Sequence, residues 1–389
     1  MLGHALRFSI VASALVAVMV GFGSTLAIVV QAAQHLGATP GQTASWIAAL
    51  CLAIAATSIG LSVHYRMPVV TAWSLAGAVL VTSAPPGIGL GEATGAFMLS
   101  AVLTLLAGAV PALGAAIARL PASIAGAMLA GLLLRFVLGL FQAAQATPAL
   151  VLPLIAVFLV ARVLHASSAP LVVIALGMPL AAALGIAVPL PDRIELSSLV
   201  LVPPVFAVPA LLGLGVPLFL VTMATQQISG AAVLRMSGYT PPMRGALLAT
   251  GFASLLAAPF GGYSNNLSSI TAALCTGPDA HPDPTKRWLT GPIYGLLYLV
   301  LAAFGASLVT VFSSFPPALI ATVAGTALLG PLSGSLATAM SREHERFAAV
   351  LAFAVTASGV SLAGIGSAFL GLAAGLLALW LDWLMRRRT

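Results

Sequence analysis

Apolar runs long enough to cross a bilayer recur from "FSIVASALVAVMVGFGSTLAIVV" near the start of this chain to "GLLALWLDWLM" near its end, and no other feature limits its fold so severely. They leave 60% of the 389 residues hydrophobic and 6% charged, with a mean hydropathy of +1.12, which excludes a soluble globular or disordered chain. Lipid offers the backbone no hydrogen bonds, so a spanning segment must be a helix or part of a closed barrel. Continuous rather than alternating apolar runs select helices. The expected fold is an all-α polytopic membrane protein. The first run exceeds the ~7–15 apolar residues of a cleaved signal and is read as the first span.

Cutting at Pro, Gly and charge clusters places spans near 9–33, 42–63, 68–82, 92–110, 121–143, 149–164, 168–188, 208–232, 244–258, 261–275, 289–311, 317–339, 346–361 and 363–384, fourteen in all. The third and tenth fall short of the ~20 residues of a full crossing and are expected to be half-length helices. Alternation from a cytoplasmic N-terminus puts every basic residue on the cytoplasmic side except Arg193, outside, and Arg135, within a span. That is the positive-inside pattern, so both termini are expected in the cytoplasm and the chain in a bacterial-type inner membrane. The net charge of +7 is scattered singly and forms no stripe for nucleic acid. Cys51 and Cys275 match no metal or redox spacing. Asp279, His281 and Asp283 resemble metal ligands, but the prolines at 278, 282 and 284 make a stiff hydrated turn the simpler reading. No cofactor or metal is expected.

Three echoes suggest an internal repeat: "GATP" at 37–40 with "GYTP" at 238–241, "AGAMLAG" at 125–131 with "AGTALLG" at 324–330, and "MPVVTAWSLAGA" from Met67 with "APFGGYSNNLSS" from Ala258. Seven spans per half is odd, so the halves would be inverted, a 7+7 arrangement used by secondary transporters that bind solute between broken helices at mid-membrane.

Polar residues inside the apolar runs mark candidates for that site. Pro68 and "VVT" favour an extended approach to a helix starting at Ser74, and "PFGG" an approach to one starting near Asn265 or Asn266. Two such N-termini meeting from opposite sides would present amide donors to an anion, particularly a carboxylate. Close packing of small residues is the alternative. The first span adds Ser24 and Thr25, and the eighth Thr222, Thr225, Gln226 and Gln227. Neighbouring glutamines project about 100° apart, so one of the pair faces a cavity; Gln226 is favoured for solute, with Gln227 a helix–helix bridge. Phe22, Phe260 and Tyr263 are candidates to pack an aromatic ring. All acids, Asp192 among them, and all histidines fall in loops or at span ends, leaving no obvious buried proton carrier and no set of groups for an intramembrane enzyme. Arg135 either attracts an anion or snorkels to the interface. Gly371 and Gly375 form one GxxxG, a packing or homodimer signal.

Taken together, "GATPGQTASWIAAL", "SIGLSVHYRMPVVTAWS", "AGLLLRF", "VPLFLVTMATQ", "APFGGY", "ITAALCTGPDAHPDP" and "TASGVSLAGIGSAFLGL" resemble the benzoate:proton symporter family, through nearly the whole chain. The family is similar in architecture to nucleobase–ascorbate and sulfate/anion transporters. The resemblance implies a core domain of segments 1–4 and 8–11 (residues 1–119 and 191–313) and a gate domain of segments 5–7 and 12–14 (120–190 and 314–389). It implies import of benzoate or a related aromatic carboxylate with a proton. A nucleobase or inorganic-anion carrier is the nearest alternative, and a channel a further one.

Overall fold

The computed structural model describes residues 7–85, 87–110, 121–164, 169–186, 194–362 and 365–386. Among the charges that orient the spans, Arg119, Asp192, Arg193, Arg387 and Arg388 lie outside the described residues.

Helix α1 (Phe8–His35) is interrupted at Met19–Gly23 by a π-helical turn. Helix α2 (Pro40–Tyr65) starts at a capping box: the Thr39 hydroxyl accepts from the Gln42 amide at 3.3 Å, and the Gln42 side chain accepts from the Thr39 amide at 2.9 Å. Pro40 occupies the first helical position, where no amide is needed. Then follow β1 (Thr71–Trp73), α3 (Leu75–Val81), α4 (Leu90–Ala109), α5 (Ala122–Ala146), α6 (Pro148–Leu164) and α7 (Ala169–Ala183). The rest comprises α8 (Val208–Met236), α9 (Met243–Ala257), β2 (Asn265–Leu267), α10 (Ile270–Thr276), α11 (Thr290–Ala303), α12 (Gly305–Ser313), α13 (Pro317–Ala339), α14 (Arg346–Ser358) and α15 (Ser367–Arg386). Among the described residues eight helices are long and apolar enough to cross a membrane, and α11 with its preceding turn joins α12 at a 66° bend. A second π-helical turn interrupts α8 at Leu211–Gly215 and a third at Met223–Gln227.

The short third and tenth segments each combine a strand with a seven-residue helix, roughly 10 Å long. The strands pair antiparallel, Thr71 opposite Leu267, Ala72 opposite Asn266 and Trp73 opposite Asn265. This corrects one expectation. Helix α10 does not begin at Asn265 or Asn266 but at Ile270, with Ser269 as its N-cap. Backbone buried away from water needs partners, and β1 supplies them only if 265–267 stay extended.

The closest helix contacts are α5 with α13, α2 with α11, α4 with α9, and α14 with both α5 and α15. Small residues make them possible. A Cβ on Gly126 would lie 2.9 Å from the Ser335 carbonyl, and one on Gly325 would lie 2.5 Å from Leu140 Cβ, so α5 and α13 each present a glycine to the other. Gly371 and Gly375 are likewise used inside the chain: Gly371 abuts Thr356 and Ala352 on α14, and Gly375 abuts Ala352 and Ile124. That stripe is covered and offers no dimer face.

At the start of α5, Ser123 donates to Glu345, which also accepts from Arg342 at 3.1 Å. Burial raises the Glu345 pKa, but these hydrogen bonds and the charges of Arg342 and His344 outweigh it and hold the carboxyl below its ordinary 4.5. Its stabilising contribution is therefore complete above pH 4.5 and is lost as pH falls through the lowered value. Thermal unfolding of Glu345→Gln should begin at lower temperature than wild type near neutrality, and the difference should shrink on acidification below that value. A constant difference across the range would show that Glu345 acts through packing alone.

Candidate functional site

The π-helical turn of α1 with Ser24 and Thr25 just after it, the π-helical turn of α8 that carries Thr225 and Gln226, the tip of β1, and the first turns of α3 and α10 border one cavity of about 780 Å³. From them come Ser24, Thr25, Trp73, Leu75, Thr225, Gln226, Ser268, Ser269 and Thr271; the facing wall is built by α5, α6 and α13 with Leu129, Phe158, Arg162 and Thr326. A π-turn inserts one residue into a helix and leaves carbonyls without their usual partners, a distortion common at functional sites. Hydroxyls in and just after these turns bond back to the carbonyl four residues earlier. Ser24 Oγ donates to the Val20 carbonyl at 2.5 Å, Thr25 Oγ1 to Gly21 at 2.6 Å and Thr225 Oγ1 to Val221 at 2.6 Å.

Those bonds assign roles that composition does not reveal. With their hydrogens committed to the backbone, Ser24, Thr25 and Thr225 offer the cavity lone pairs rather than donors. Thr25 already accepts from the Trp73 indole N–H at 2.9 Å. Ser268 Oγ accepts from Thr271 Oγ1 at 2.6 Å, so its own hydrogen is free for the cavity. Gln226, Ser229 and Ser269 line the cavity without a hydrogen bond to the described residues. The first-turn amides of Gly77 in α3 and Thr271 in α10 are taken by the Ser74 and Ser268 hydroxyls, at 2.9 and 3.3 Å. Behind them Tyr294 Oη meets Thr271 Oγ1 at 3.3 Å and donates to the Thr71 carbonyl at 3.1 Å, fixing α10 against β1.

The other predicted residues lie behind this surface. Ser74 is buried; its Oγ accepts from the Gly77 amide and from Thr222 Oγ1, each at 2.9 Å, so it caps α3 without reaching the cavity. Asn265 Nδ2 donates to Thr57 Oγ1 at 2.8 Å and to the Ala53 carbonyl at 3.2 Å, and Asn266 Nδ2 to the Leu267 carbonyl at 2.9 Å. Asn265 thus braces β2 against α2, while Asn266 bonds within the strand itself. Phe22 packs on Trp73 with centroids 5.4 Å apart, Tyr263 on Trp46 and Phe97 at 6.2 and 6.1 Å, and the Phe260 carbonyl accepts from Ser45. None of the three rings lines the cavity. Sequence reasoning missed Trp73, Ser229, Ser268 and Ser269; the serine directly before the apolar "ITAAL" was an available N-cap signal.

The two glutamines divide as their angular separation requires. Gln227 is fully buried, its Nε2 donating to Thr250 Oγ1 at 3.0 Å and its Oε1 accepting from the Leu267 amide at 3.2 Å. Gln227→Leu should leave that amide unpaired at a cost of about 1–3 kcal/mol and lower the melting temperature of detergent-solubilised protein. Gln226→Leu, which severs nothing internal, should melt like wild type while solute affinity falls. Equal melting of the two variants would contradict this division of labour.

In the loop after α10, His281 Nδ1 accepts from the Asp283 amide at 2.9 Å and Asp283 accepts from the Thr285 amide at 2.9 Å, so both are engaged in a turn.

A helical membrane protein whose broken helices converge on a polar-lined chamber is, by fold and site, a membrane transporter. The fold is similar to that of the transmembrane domain of a cyanobacterium bicarbonate transporter, BicA, with a TM-score of 0.62 at 15% identity over 95% of this chain and 97% of that one. The chain belongs to the benzoate membrane transport protein family, whose model matches residues 5–381; it is therefore a transporter and not an enzyme. It is 39% identical over 359 residues to the inner membrane protein YdcO of Escherichia coli, covering 92% of each chain. It is 35% identical over 362 residues to the benzoate membrane transport protein of Acinetobacter baylyi, covering 93% of this chain and 92% of the relative.

Proposed function

We propose that the protein imports benzoate or a related aromatic carboxylate together with a proton across a bacterial inner membrane, by alternating access. The observation that carries this reading is the composition of the chamber. Donors from Gln226, Ser229, Ser268 and Ser269 face one side, an indole and apolar side chains such as Leu75, Leu129 and Phe158 line most of the rest beside Arg162 and Thr326, and no carboxylate or imidazole is among the described lining residues. A volume of about 780 Å³ suits a small organic solute with room for water. The apolar walls favour an aromatic ring over a hydrated inorganic anion or a nucleobase, for which a site needs hydrogen-bond partners around the whole solute.

Alternating access draws support from a second cavity, about 600 Å³, that shares the walls of the first toward the other end of the bundle. On α5 the first cavity ends at Leu133 and the second begins at Arg135; on α13 they meet between Thr326 and Ala324. Along these helices only roughly 3 Å of rise separates them, and along α1, from Thr25 to Gln31, roughly 9 Å. In the fourteen-segment, inverted-repeat reading, the strands, α1, α3, α8 and α10 belong to a core unit (1–119 and 191–313) and α5, α6 and α13 to a gate unit (120–190 and 314–389). Sliding of one against the other would close one cavity as it opens its counterpart. Both termini then lie in the cytoplasm, where the first cavity opens.

Carrying the carboxylate with one proton makes the cycle electroneutral and avoids a bare charge in low dielectric. Among the described residues no acid or imidazole lines the chamber, which supports a proton carried on the solute itself. Purified protein in liposomes with an acid-outside gradient should accumulate benzoate faster than protein-free vesicles, saturably, and lose the advantage when the gradient is collapsed. Competition by uracil, sulfate or bicarbonate with indifference to benzoate would replace this reading by the nucleobase or inorganic-anion one. Non-saturating flux would indicate a channel.

A further inference from the structure

The second cavity carries chemistry of its own. Its lining brings together Gln31, Gln34 and His35 from the end of α1, Arg135 and Phe136 from α5, and Ile320 from α13. Arg135 stands roughly 16 Å of helix rise before the end of α5 at Ala146, deep for a guanidinium in an apolar span. Such a charge is costly in a membrane and normally has a partner. Among the described residues it makes no ion pair or hydrogen bond, and no acidic side chain lines the cavity around it. His35, the other titratable group there, has its Nε2 3.0 Å from the Ala84 carbonyl.

The arginine is nevertheless held. A Cβ on Gly359 would lie 3.2 Å from its Cζ, Nη1 and Nη2 alike, so the guanidinium lies face-on against that α-carbon. Gly359 ends α14 in a left-handed turn, φ +69°, that favours glycine in any case. Backbone thus takes the face of the guanidinium while its N–H edge stays unpaired.

We propose that this cavity is a second carboxylate site, a capture station at the mouth opposite the main chamber, with Arg135 as its anion-binding group and Phe136 and Ile320 as the wall for the ring. The proposal rests on the aromatic-carboxylate reading of the main chamber. A planar guanidinium can hold a carboxylate through two parallel N–H···O bonds. One unpaired cation between low-dielectric walls focuses the field outward and raises the rate of anion encounter. Gln31 and Gln34 add neutral amide donors at the same rim.

The test uses the full-length protein in liposomes of sorted orientation, with initial rates of benzoate transport measured separately from each face. Without an imposed gradient, kcat/KM must be equal from the two faces. Arg135→Gln should then raise KM on the order of 10-fold for entry from the face where α1 ends with kcat retained, and should leave KM from the other face unchanged while kcat from that face falls by the same factor. Arg135→Lys should recover part of the loss, because it restores charge but not the two-pronged geometry. If Arg135→Gln does not fold, wild-type KM from that face should climb with ionic strength more steeply than KM from the other face. An active wild type whose KM ignores both substitution and salt, or shifts equally from both faces, overturns the capture site alone. Wild-type vesicles that transport no benzoate overturn the substrate reading, and this one with it.

Discussion

Replacing Trp73 by Ala is expected to abolish transport and to lower the melting temperature sharply, while Trp73→Phe keeps the fold and weakens solute affinity on the order of tenfold. The ring is 4% exposed and touches Phe22 and Tyr298, with centroids 5.4 and 6.4 Å away. Its removal leaves a void at the tip of β1 that costs about 3–5 kcal/mol. Two functions are lost at once, because the indole also donates to Thr25 at 2.9 Å, just after the π-turn of α1. Phenylalanine fills most of the space but cannot donate, so Thr25 Oγ1 loses its partner and the cavity wall its fixed position. The discriminating measurement is a pair: melting temperature by tryptophan-independent light scattering, and the concentration dependence of benzoate uptake. Normal uptake by Trp73→Ala would remove the indole from the solute site.

The second large effect is expected at Gly261, the residue between α9 and the strand β2. Its φ of +93° is a conformation that side-chain-bearing residues rarely adopt, and a Cβ there would overlap the Trp46 indole. Trp46 cannot withdraw: it is 1% exposed and wedged edge-on against Phe97, with Tyr263 beside it. Backbone strain of ~1–3 kcal/mol and overpacking of a similar ~1–3 kcal/mol together make Gly261→Ala costly enough to compromise folding. Gly60, inside α2, is the matched control, because a Cβ added there would meet no atom within 4 Å. Gly60→Ala should be neutral or stabilise by ~0.5–1 kcal/mol. Size-exclusion profiles in mild detergent should show aggregate for Gly261→Ala and a wild-type peak for Gly60→Ala. A monodisperse, thermally unaltered Gly261→Ala would mean that the loop repacks freely.

The membrane class and the helical segments were legible because lipid imposes a one-dimensional rule on composition, and Ser74 was legible as a cap because a Ser between "VVTAW" and "LAGAV" has few other roles. The start of α10 was not. Asn265 and Asn266 are as good caps as Ser269, and what decides between them is the partner strand nearly two hundred residues away, which no local pattern encodes. The π-turns were invisible for a related reason: an inserted residue changes which carbonyl each amide reaches without changing which residue types suit a helix. Ser24, Thr25 and Thr225 were legible only as candidate partners for a solute; that their hydrogens are committed to the carbonyls of Val20, Gly21 and Val221 shows only in the structure. Gln226 and Gln227 could be separated from sequence only by angle; the structure supplies the reason, Thr250 and the Leu267 amide, that one of them is occupied.

The rungs joining Thr71–Trp73 to Asn265–Leu267 also bear on how the chain can be assembled. A polypeptide truncated between α7 and α8 would leave the buried strand β1 with bare amides, so neither half should persist alone in the membrane. Co-produced as two fragments, they have a built-in reason to find one another.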